Sequence, residues 1–541
     1  MKTKKIIFSI IFLFVLFAGS LIFAQPAQVW VKNYDGPAGS HDRVLKTMTD
    51  GEGNVYVSGY SYQTETNRDI AVLKYNSSGT LLWSRRIDLA QDHQEQPYGM
   101  FVDNSGNVYV TGESNNSSVT AKYNSAGTLH WIKTYTLTGQ SIHGSDVISA
   151  NDGSVYVTGQ RFVPGNPNEA FILTIKYSSA GTLLWSDSRN YDGFGFGVRV
   201  RAGNDGNIYV LGQTGYGSGN SYLRMAVIKY SSAGAMLAMM KINHIGLTGN
   251  ALPRDMELDD ANNLYITGLG LFNTGNMDIM TVKLNSSFTY QWTSIYNSGG
   301  TANDQGEDIY VNPATGVCYV LGSAGSIPGD VVTIKYLANG TQQWASVYDG
   351  ISYNNDSPAE LAVDNVGNVY ISGSSSNNQG AVRMFFVKYN LLGIKQWETY
   401  FNGLLLNYAR SMTIDTQGNI YLSGSFREHP GDEDFVLVKF GSTVGLENTG
   451  NELPEKFELS QNYPNPFNPV TNISFSLPST GSVKLLVFDA AGKQVSELVN
   501  RELSAGTYNY DFNASGLSSG IYFYRLEAEG FTNVKKMILV K

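Results

Sequence analysis

Seven carboxylates occupy comparable places along a repeating sequence, each just ahead of or inside a short apolar segment. They are Asp42, Asp146, Asp255, Asp304, Asp308, Asp356 and Glu360. Carboxylates that lie close together raise one another's pKa or bind a cation. If the apolar segments are the innermost strands of a ring, these acids surround the mouth of a central channel. There they would either bind a ligand or form a hydrated acidic funnel.

Aromatic residues recur in the long loops between these segments, among Asn, Gly, Ser and further acids. The candidates are Tyr62, Phe162, Phe194 and Tyr353. Aromatic rings beside amides and carboxylates suit a polar ligand such as a glycan, through stacking and hydrogen bonds. The alternative interpretation is that such loops are merely soluble. Together with the seven acids, these aromatics form the predicted ligand-binding set.

No linear motif for catalysis or metal binding accompanies these candidates. Of the six histidines, four fall in the same loops, but none has a metal-ligand spacing: His41, His93, His143 and His429. Cys318 is the only cysteine, so the chain cannot form an internal disulfide. We therefore predict no catalytic residue, no metal ligand set and no cofactor.

Calcium is a lesser alternative, raised by short turns such as DGEGN (50–54) and DTQGN (415–419). A calcium loop needs alternating oxygen ligands over about twelve residues and a distal Glu, which these turns lack. We expect instead that the Asp caps its own turn and that the Gly adopts positive φ.

Eight copies of one strand pattern, such as GNVYVSG (53–59), organise the chain. Their tyrosines are spaced by 47 to 56 residues, at Tyr56, Tyr109, Tyr156, Tyr209, Tyr265, Tyr319, Tyr370 and Tyr421. A second pattern follows each copy, with a Lys, a short turn and a Trp. All seven tryptophans occupy this Trp position, and Ala238 occupies the eighth. We expect the Lys stems to pack between modules with their charged heads in water.

Each module contains four strand-like segments, here called a, b, c and d, marked by alternating polarity and glycine-rich turns. Four antiparallel strands in about 50 residues are typical of a propeller blade. The first segment, VWVKNY (29–34), is a d strand without a module, and the last module lacks its d strand. We predict an all-β fold with an eight-bladed propeller over 27–442, closed by this N-terminal strand; seven blades with one module packed outside is the alternative. The modules resemble the SBBP β-propeller repeats of bacterial surface proteins, a resemblance that implies architecture more than function.

Net charge and the distribution of apolar residues restrict the classes of partner and the location of the protein. The formal charge is −9 and no basic patch is visible, which argues against nucleic acid. The N-terminus reads as a signal peptide over residues 1–24, with Lys2, Lys4 and Lys5 before an apolar run and Ala24 at the cleavage position. An uncleaved membrane anchor is the alternative, and no later segment is apolar enough to span a bilayer. We expect a monomer.

The C-terminal part departs from the repeat. A polar linker over 443–460 precedes a stretch of short strands over 461–541 that suits a small Ig-like sandwich. Two motifs bracket that stretch: the run Tyr463, Pro464, Asn465, Pro466, Phe467, Asn468 and Pro469, and the basic pair Lys535 and Lys536. They resemble the type A C-terminal sorting domain of type IX secretion. The resemblance implies export across the outer membrane by the type IX machinery, followed by release or surface attachment. An ordinary Ig-like module is the alternative.

From these features we expect a secreted or surface-displayed propeller that binds a polysaccharide or a surface partner. Two other functions stay open: an extracellular polysaccharide hydrolase or lyase that uses carboxylates of the loop-rich face, and a passive structural or adhesive component.

Overall fold

The computed structural model describes residue 26 and residues 28–540, with gaps at 40, 65–66, 90–93, 192, 217–221, 244–245, 273–274, 300–301, 326–328, 351–354, 365–366, 378, 402–405, 428–432, 442–445, 449–453, 504 and 515–516. The predicted signal peptide lies outside the described residues. All regular elements in the described part are β-strands, so the prediction of an all-β fold is confirmed. None of the described residues belongs to a helix long and apolar enough to cross a membrane.

The chain divides into two compact units, one covering 25–444 and the other containing 445–541. In the first unit, the strands form six four-stranded sheets and one eight-stranded sheet. A single parallel pairing of Val382 with Leu406 joins the two four-stranded halves of the larger sheet. The eight four-stranded groups are called sheets 1 to 8 in chain order. Sheet 1 holds β2 (Arg43–Thr49), β3 (Val55–Thr64), β4 (Asn67–Tyr75) and β5 (Leu81–Ile87). Sheet 2 holds β6 (Glu95–Val102), β7 (Val108–Ser114), β8 (Ser117–Tyr123) and β9 (Leu129–Tyr135). Sheet 3 holds β10 (Ser141–Ser149), β11 (Val155–Val163), β12 (Asn166–Tyr177) and β13 (Leu183–Arg189). Sheet 4 holds β14 (Gly195–Ala202), β15 (Ile208–Tyr216), β16 (Tyr222–Tyr230) and β17 (Met236–Lys241).

The same a-b-c-d order continues through the second half of the unit. Sheet 5 holds β18 (Leu247–Leu258), β19 (Leu264–Phe272), β20 (Met277–Leu284) and β21 (Tyr290–Tyr296). Sheet 6 holds β22 (Gln305–Val311), β23 (Cys318–Ala324), β24 (Asp330–Tyr336) and β25 (Gln342–Tyr348). Sheet 7 holds β26 (Asp356–Val363), β27 (Val369–Ser376), β28 (Val382–Tyr389) and β29 (Lys395–Phe401). Sheet 8 holds β30 (Leu406–Ile414), β31 (Ile420–Arg427), β32 (Glu433–Phe440) and the N-terminal β1 (Gln28–Tyr34).

The a strands are innermost and form a closed ring. Each a strand contacts the a strand of the next sheet, and β30 of sheet 8 contacts β2 of sheet 1. The b and c strands are buried on both faces, which is why they are nearly continuous apolar runs. This arrangement is a β-propeller.

Sheet 8 is completed from the other end of the chain. β1 runs antiparallel to β32, with Val31 opposite Val438 and Tyr34 opposite Phe435. The pairing covers the edge of β32, which would otherwise offer unpaired backbone groups to another chain.

One contact pattern joins neighbouring sheets at the turns between c and d strands. In sheet 1, the Lys74 ammonium (3.0 Å) and the Trp83 indole (3.1 Å) both donate to the carbonyl of Ser125 in sheet 2. The same pair of donations occurs from Lys283 and Trp292 to Ala338. The Lys74 side chain is only 6% exposed. The expectation of Lys heads in water was therefore wrong, because a carbonyl of the next sheet replaces the solvent.

The second unit contains two four-stranded sheets. One holds β33 (Leu446–Asn448), β38 (Gly506–Asn513), β35 (Val470–Leu477) and β34 (Glu458–Leu459), in that spatial order. The other holds β37 (Gln494–Leu503), β36 (Gly481–Asp489), β39 (Gly520–Ala528) and β40 (Phe531–Leu539). Apolar residues of both sheets form one core that includes Phe475, Leu485 and Tyr524. The unit is thus a small β-sandwich.

Candidate functional site

A cavity of about 690 Å³ lies inside the ring of a strands. All eight a strands contribute to its lining. Its ionisable residues are Lys46, Asp146, Arg199, Arg201, Asp255, Glu257, Glu307, Asp308, Glu360 and Arg410. Four of the seven predicted acids are among them, and they are joined by bases that the sequence analysis did not include. The channel is therefore lined by ion pairs rather than by a purely acidic funnel.

A β-bulge in each a strand determines which side chains reach the cavity. The residue after the bulge is Asp146 in β10, Asp255 in β18, Asp308 in β22 and Glu360 in β26. A bulge adds one residue and re-aims the side chains that follow it. These four acids thus occupy one equivalent position in four sheets.

Each of these four carboxylates accepts a backbone N–H from the next sheet. Asp146 accepts from Val200 (2.9 Å), Asp255 from Ile309 (3.3 Å), Asp308 from Leu361 (2.7 Å) and Glu360 from Met412 (2.8 Å). Ser411 in sheet 8 does the same for the Thr47 amide at 3.0 Å. Lys46, Gly99 and Arg199 occupy the position in the other three sheets, where the side chain has no oxygen to accept with.

Arginines neutralise one side of the ring. Arg199 donates to Asp255 at 2.7 Å, and Arg201 bridges Asp146 at 3.0 Å and Glu257 at 2.8 Å. Burial alone would raise the pKa of Asp255, but Arg199 and Arg201 outweigh it and lower that pKa. Burial raises the pKa of Glu257 despite Arg201.

Asp308 differs from Asp255 in the direction of its pKa shift. Burial raises its pKa well above the ordinary value, and the nearby Asp255 and Glu360 raise it further. Asp308 also shares a side-chain hydrogen bond with Asp255. Two carboxyl groups in that relationship titrate as a pair. The channel therefore contains two adjacent carboxyl groups whose pKa values are shifted in opposite directions.

A cluster of half-buried aromatic rings lies on the face that carries the b–c and d–a loops. The His143 ring lies 5.5 Å from the Tyr98 ring, 6.5 Å from Phe162 and 5.7 Å from Phe196, centroid to centroid. The Tyr98 hydroxyl donates to Glu113 at 3.1 Å, and His143 Nδ1 lies 3.9 Å from the other Glu113 oxygen. Burial lowers the pKa of His143, which favours the neutral imidazole. Tyr98 also lines the channel cavity.

Only part of the predicted aromatic set belongs to this cluster. Phe162 is a member, whereas Phe194 lies two residues before Phe196 and bridges to Tyr191 through its backbone. The Tyr62 ring packs edge-on against Tyr60 in sheet 1, and Tyr353 lies outside the described residues. Tyr98 and Glu113 come from sheet 2, His143 from sheet 3 and Phe196 from sheet 4, and no shared sequence motif connects them.

The remaining predicted acids, Asp42, Asp304 and Asp356, do not line the channel cavity; they are buried at the starts of the a strands. Asp42 accepts the amides of Gly36 (2.5 Å) and Tyr62 (3.1 Å), and Asp304 accepts those of Ser298 (2.7 Å) and Gly325 (2.8 Å). The Gly350 amide donates to Asp356 at 2.6 Å. Each of these three acids lies at the first ladder pair of its a strand or one residue before it. Its side chain therefore holds the d–a loop that ends there.

The a–b turns on the opposite face behave as the sequence predicts. Asp50 Oδ1 accepts the amides of Glu52 (3.0 Å) and Asn54 (2.9 Å) in its own turn. The other oxygen accepts the Tyr56 hydroxyl at 2.9 Å. Self-capping by the Asp is confirmed, and the repeated Tyr is explained as its partner.

In the second unit, the two C-terminal motifs meet. The Phe467 amide donates to the carbonyl of Ile538, and the Val540 amide donates to the carbonyl of Phe467, each at 2.9 Å. Asn465 Oδ1 accepts the Ile538 amide at 2.9 Å, and its Nδ2 donates to the Lys536 carbonyl at 3.3 Å. The Tyr463–Pro464 and Asn465–Pro466 peptide bonds are cis.

This contact leaves one polar and aromatic surface exposed. Phe467 is buried, whereas Tyr463 is 81% exposed and Pro464, Pro466, Asn468 and Lys536 are also exposed. Asn465, Pro469 and Lys535 are half-buried at its border. The two motifs, about 70 residues apart in sequence, thus form a single surface.

A family model described as a secretion system C-terminal sorting domain matches residues 461–541. The chain carries a type IX sorting domain. It is therefore a secreted or cell-surface protein that is exported through the periplasm. A second model, described as a β-propeller repeat of the SBBP type, matches residues 82–118.

Among curated proteins, the chain is 24% identical over 454 residues to an uncharacterized WD repeat-containing protein L264 of Acanthamoeba polyphaga mimivirus. The match covers 72% of this chain but only 28% of that protein. Among solved structures, it is similar to PorZ, a surface component of the type IX secretion system of Porphyromonas gingivalis, with 13% identity, 92% and 70% coverage of the two chains and a TM-score of 0.40. It is also similar to the periplasmic gluconolactonase PpgL of Pseudomonas aeruginosa, with 13% identity, 68% and 96% coverage and a TM-score of 0.40.

Proposed function

We propose that this protein is an eight-bladed propeller over residues 27–442 that binds an extracellular polysaccharide, or a glycan on a surface partner, through its loop-rich face. The sorting domain over 461–541 delivers it, and the predicted signal peptide over 1–24 starts its export. The observation that carries the proposal is the aromatic cluster of Tyr98, Phe162 and Phe196 around His143, at the mouth of a polar channel.

The cluster has the properties that sugar binding requires. Its rings are half-buried, so part of each ring is exposed to solvent. A sugar ring can stack on this apolar surface and displace water without any unfolding of the core. Glu113 and His143 provide hydrogen-bond acceptors beside the rings, and the carboxylates and arginines of the channel provide more. Ligand pockets commonly combine an apolar floor with a few convergent polar groups.

Binding of the purified full-length chain to a glycan array and to isolated cell-surface polysaccharides tests the proposal. We expect Phe196→Ala to weaken the binding by roughly five- to twelvefold, because one aromatic stacking contact contributes about 1–1.5 kcal/mol. Tyr408→Ala is the matched control, since Tyr408 is an exposed aromatic residue of sheet 8 on the far side of the ring. Absence of binding to every polymer, or equal binding by both variants, would contradict the proposal.

The Asp255–Asp308 pair favours a second function, an extracellular polysaccharide hydrolase or lyase. A carboxyl group with a raised pKa beside another carboxyl group is a feature of sites that use general acid catalysis. Asp308→Asn keeps a donor toward Asp255 and an acceptor for the Leu361 amide, so this variant should fold. Release of reducing ends by the wild-type chain but not by Asp308→Asn would support the enzyme, whereas intact polymer in both cases would leave binding as the function.

A further inference from the structure

Among the described residues, three clusters of carboxylates recur at equivalent junctions between sheets, outside the channel. In each cluster, one oxygen atom from each of three acids lies within 4.8 Å of the others. We call them the junction triads: Asp330, Asp349 and Asp356 between sheets 6 and 7; Asp69, Asp88 and Glu95 between sheets 1 and 2; and Asp434, Asp35 and Asp42 between sheets 8 and 1.

The members of each triad occupy the same three places in the repeat. The first acid stands on the c strand, five residues before the repeated Lys, as Asp330 does before Lys335. The second stands five residues after the repeated Trp, as Asp349 does after Trp344. The third starts the a strand of the next sheet, as Asp356 does in β26. A triad therefore connects two sheets through their loop-rich face.

Buried carboxylate oxygens point into two of the triads without a partner. Asp356 is 4% exposed, and its Oδ1 accepts no hydrogen bond from the described residues. That oxygen would lie 2.6 Å from a Cβ atom placed on Gly350, so it faces the segment that carries Asp349. In the triad between sheets 1 and 2, Asp69 is fully buried; its Oδ2 pairs with Arg86 at 2.8 Å, whereas its Oδ1 has no partner among the described residues. For Asp356, an ionised carboxylate held in this way is costly unless a positive charge compensates it.

The electrostatic environment agrees with this geometry. Burial raises the pKa of Asp356, and the neighbouring Asp349 and Asp330 raise it further. Burial and Asp349 also raise the pKa of Asp330. The three carboxylates of the triad between sheets 6 and 7 thus repel one another when they are ionised.

A fourth junction shows how the same places are occupied without three acids. Between sheets 5 and 6, the equivalent residues are Asp278, Asn297 and Asp304. Here the amide of Asn297 donates to Asp278 Oδ1 at 2.9 Å. An amide hydrogen therefore lies where the other junctions bring a third carboxylate.

We propose that the junction triads bind divalent cations, with Ca²⁺ as the fitting ion, and that the bound ions clamp neighbouring sheets together. The ligands are carboxylate oxygens only, which suits a hard cation and not one that prefers nitrogen or sulfur. Ca²⁺ accepts irregular sets of six to eight oxygen ligands, including backbone carbonyls and water, whereas Mg²⁺ requires near-octahedral geometry. Extracellular calcium sites typically have dissociation constants of about 10⁻⁴–10⁻³ M, in keeping with an exported protein.

The second acid of each triad offers a substitution that spares the fold, because Asp35, Asp88 and Asp349 are all exposed. The test is a calorimetric titration of the chelator-treated full-length chain with Ca²⁺. We expect Asp349→Asn to bind one Ca²⁺ ion fewer than the wild-type chain. The triple variant Asp35→Asn, Asp88→Asn and Asp349→Asn should lose three. Millimolar Ca²⁺ should raise the Tm of the wild-type chain, and this rise should disappear in the triple variant.

The chain provides its own matched controls. Asn297→Asp completes a triad between sheets 5 and 6 and should add one bound ion. Glu52→Gln removes one exposed charge from an a–b turn on the opposite face and should change neither stoichiometry nor the Ca²⁺-dependent rise in Tm. The proposal is overturned if Ca²⁺ stoichiometry is the same in the wild-type chain and the triple variant. It is equally overturned if Mg²⁺ raises the Tm as much as Ca²⁺ at the same concentration.

Discussion

The ring of Phe288 packs against the ring of Tyr209, with centroids 6.2 Å apart. In other sheets, the repeated Tyr packs instead on the Trp of its own sheet, at 6.1 Å for Tyr56 and Trp83 and at 6.0 Å for Tyr156 and Trp185. Sheet 4 has Ala238 at the Trp position. Phe288 belongs to the c–d turn of sheet 5, so a residue of the next sheet fills the space that the missing indole leaves.

The compensation extends to the backbone. Elsewhere the turn residue that faces the Trp is a Gly with positive φ, such as Gly127, where a Cβ atom would lie 2.7 Å from the Trp83 ring. Phe288 adopts the same left-handed conformation, with φ 61°. A side chain is accommodated there because Ala238 leaves room for it.

The first prediction concerns this pair. Phe288→Gly should destabilise the chain by about 2–4 kcal/mol, because it removes a buried aromatic ring and leaves a cavity. Ala238→Trp should also destabilise it, through a clash with Phe288. The double variant, which recreates the pattern of the other sheets, should recover most of the loss. Urea unfolding of the four proteins in a double-mutant cycle measures the coupling, and additive losses would contradict it.

The second prediction concerns closure of the ring. Val31 and Val438 are opposite each other on β1 and β32, at a separation that cross-strand cysteines can bridge. Val31→Cys with Val438→Cys should therefore form a disulfide under oxidising conditions, since the native Cys318 is buried and does not compete. Non-reducing electrophoresis and mass spectrometry detect the link. Val29→Cys with Val438→Cys is the mismatched control. Failure of Val31→Cys and Val438→Cys to form the disulfide in the folded chain would argue against the pairing.

The third prediction concerns pH. Burial, Asp255 and Glu360 raise the pKa of Asp308 above its value in the unfolded chain. The stability that protonated Asp308 contributes is thus present at low pH and decreases as the pH rises through the raised pKa. Asp308→Asn imitates the protonated form, so its free energy of unfolding should exceed that of the wild-type chain on the alkaline side. The difference should disappear toward acidic pH in urea titrations across the range, whereas Glu52→Gln should show no such trend.

The fourth prediction concerns delivery. Asn465 holds the first sorting motif to the last strand through Ile538 and Lys536. Asn465→Ala should loosen that contact by about 1–3 kcal/mol and reduce export, because the surface that both motifs build is no longer held together. Asn468→Ala alters an exposed neighbour without these bonds and is the control for stability. Fractionation of a type IX-competent host into medium, surface and periplasm measures the effect, and normal export of Asn465→Ala would refute it.

Much of the architecture follows from the order of residues alone. A strand pattern repeated eight times, with a Tyr and a Lys in every copy and a Trp in all but one, already implies sheets that stack on their neighbours. The unpaired segment at 29–34 and the incomplete last module imply closure by β1, since each leaves one sheet edge uncovered. The sorting domain is also predictable from the sequence, because each of its two motifs is a short continuous stretch of residues.

The sites were decided by the tertiary structure, for a reason that the repeat itself explains. The bulge in β22 turns Asp308 into the channel, as the equivalent bulges do in the other a strands. Asp304, four residues earlier, instead contacts the d–a loop. Arg199 and Arg201 neutralise acids of the neighbouring sheets, and linear spacing gives no sign of such pairs. The junction triads combine segments as distant as Asp35 and Asp434, which only ring closure brings together. The sequence by itself therefore determined the modules and their destination, whereas the packing of module against module determined which of their side chains share a site.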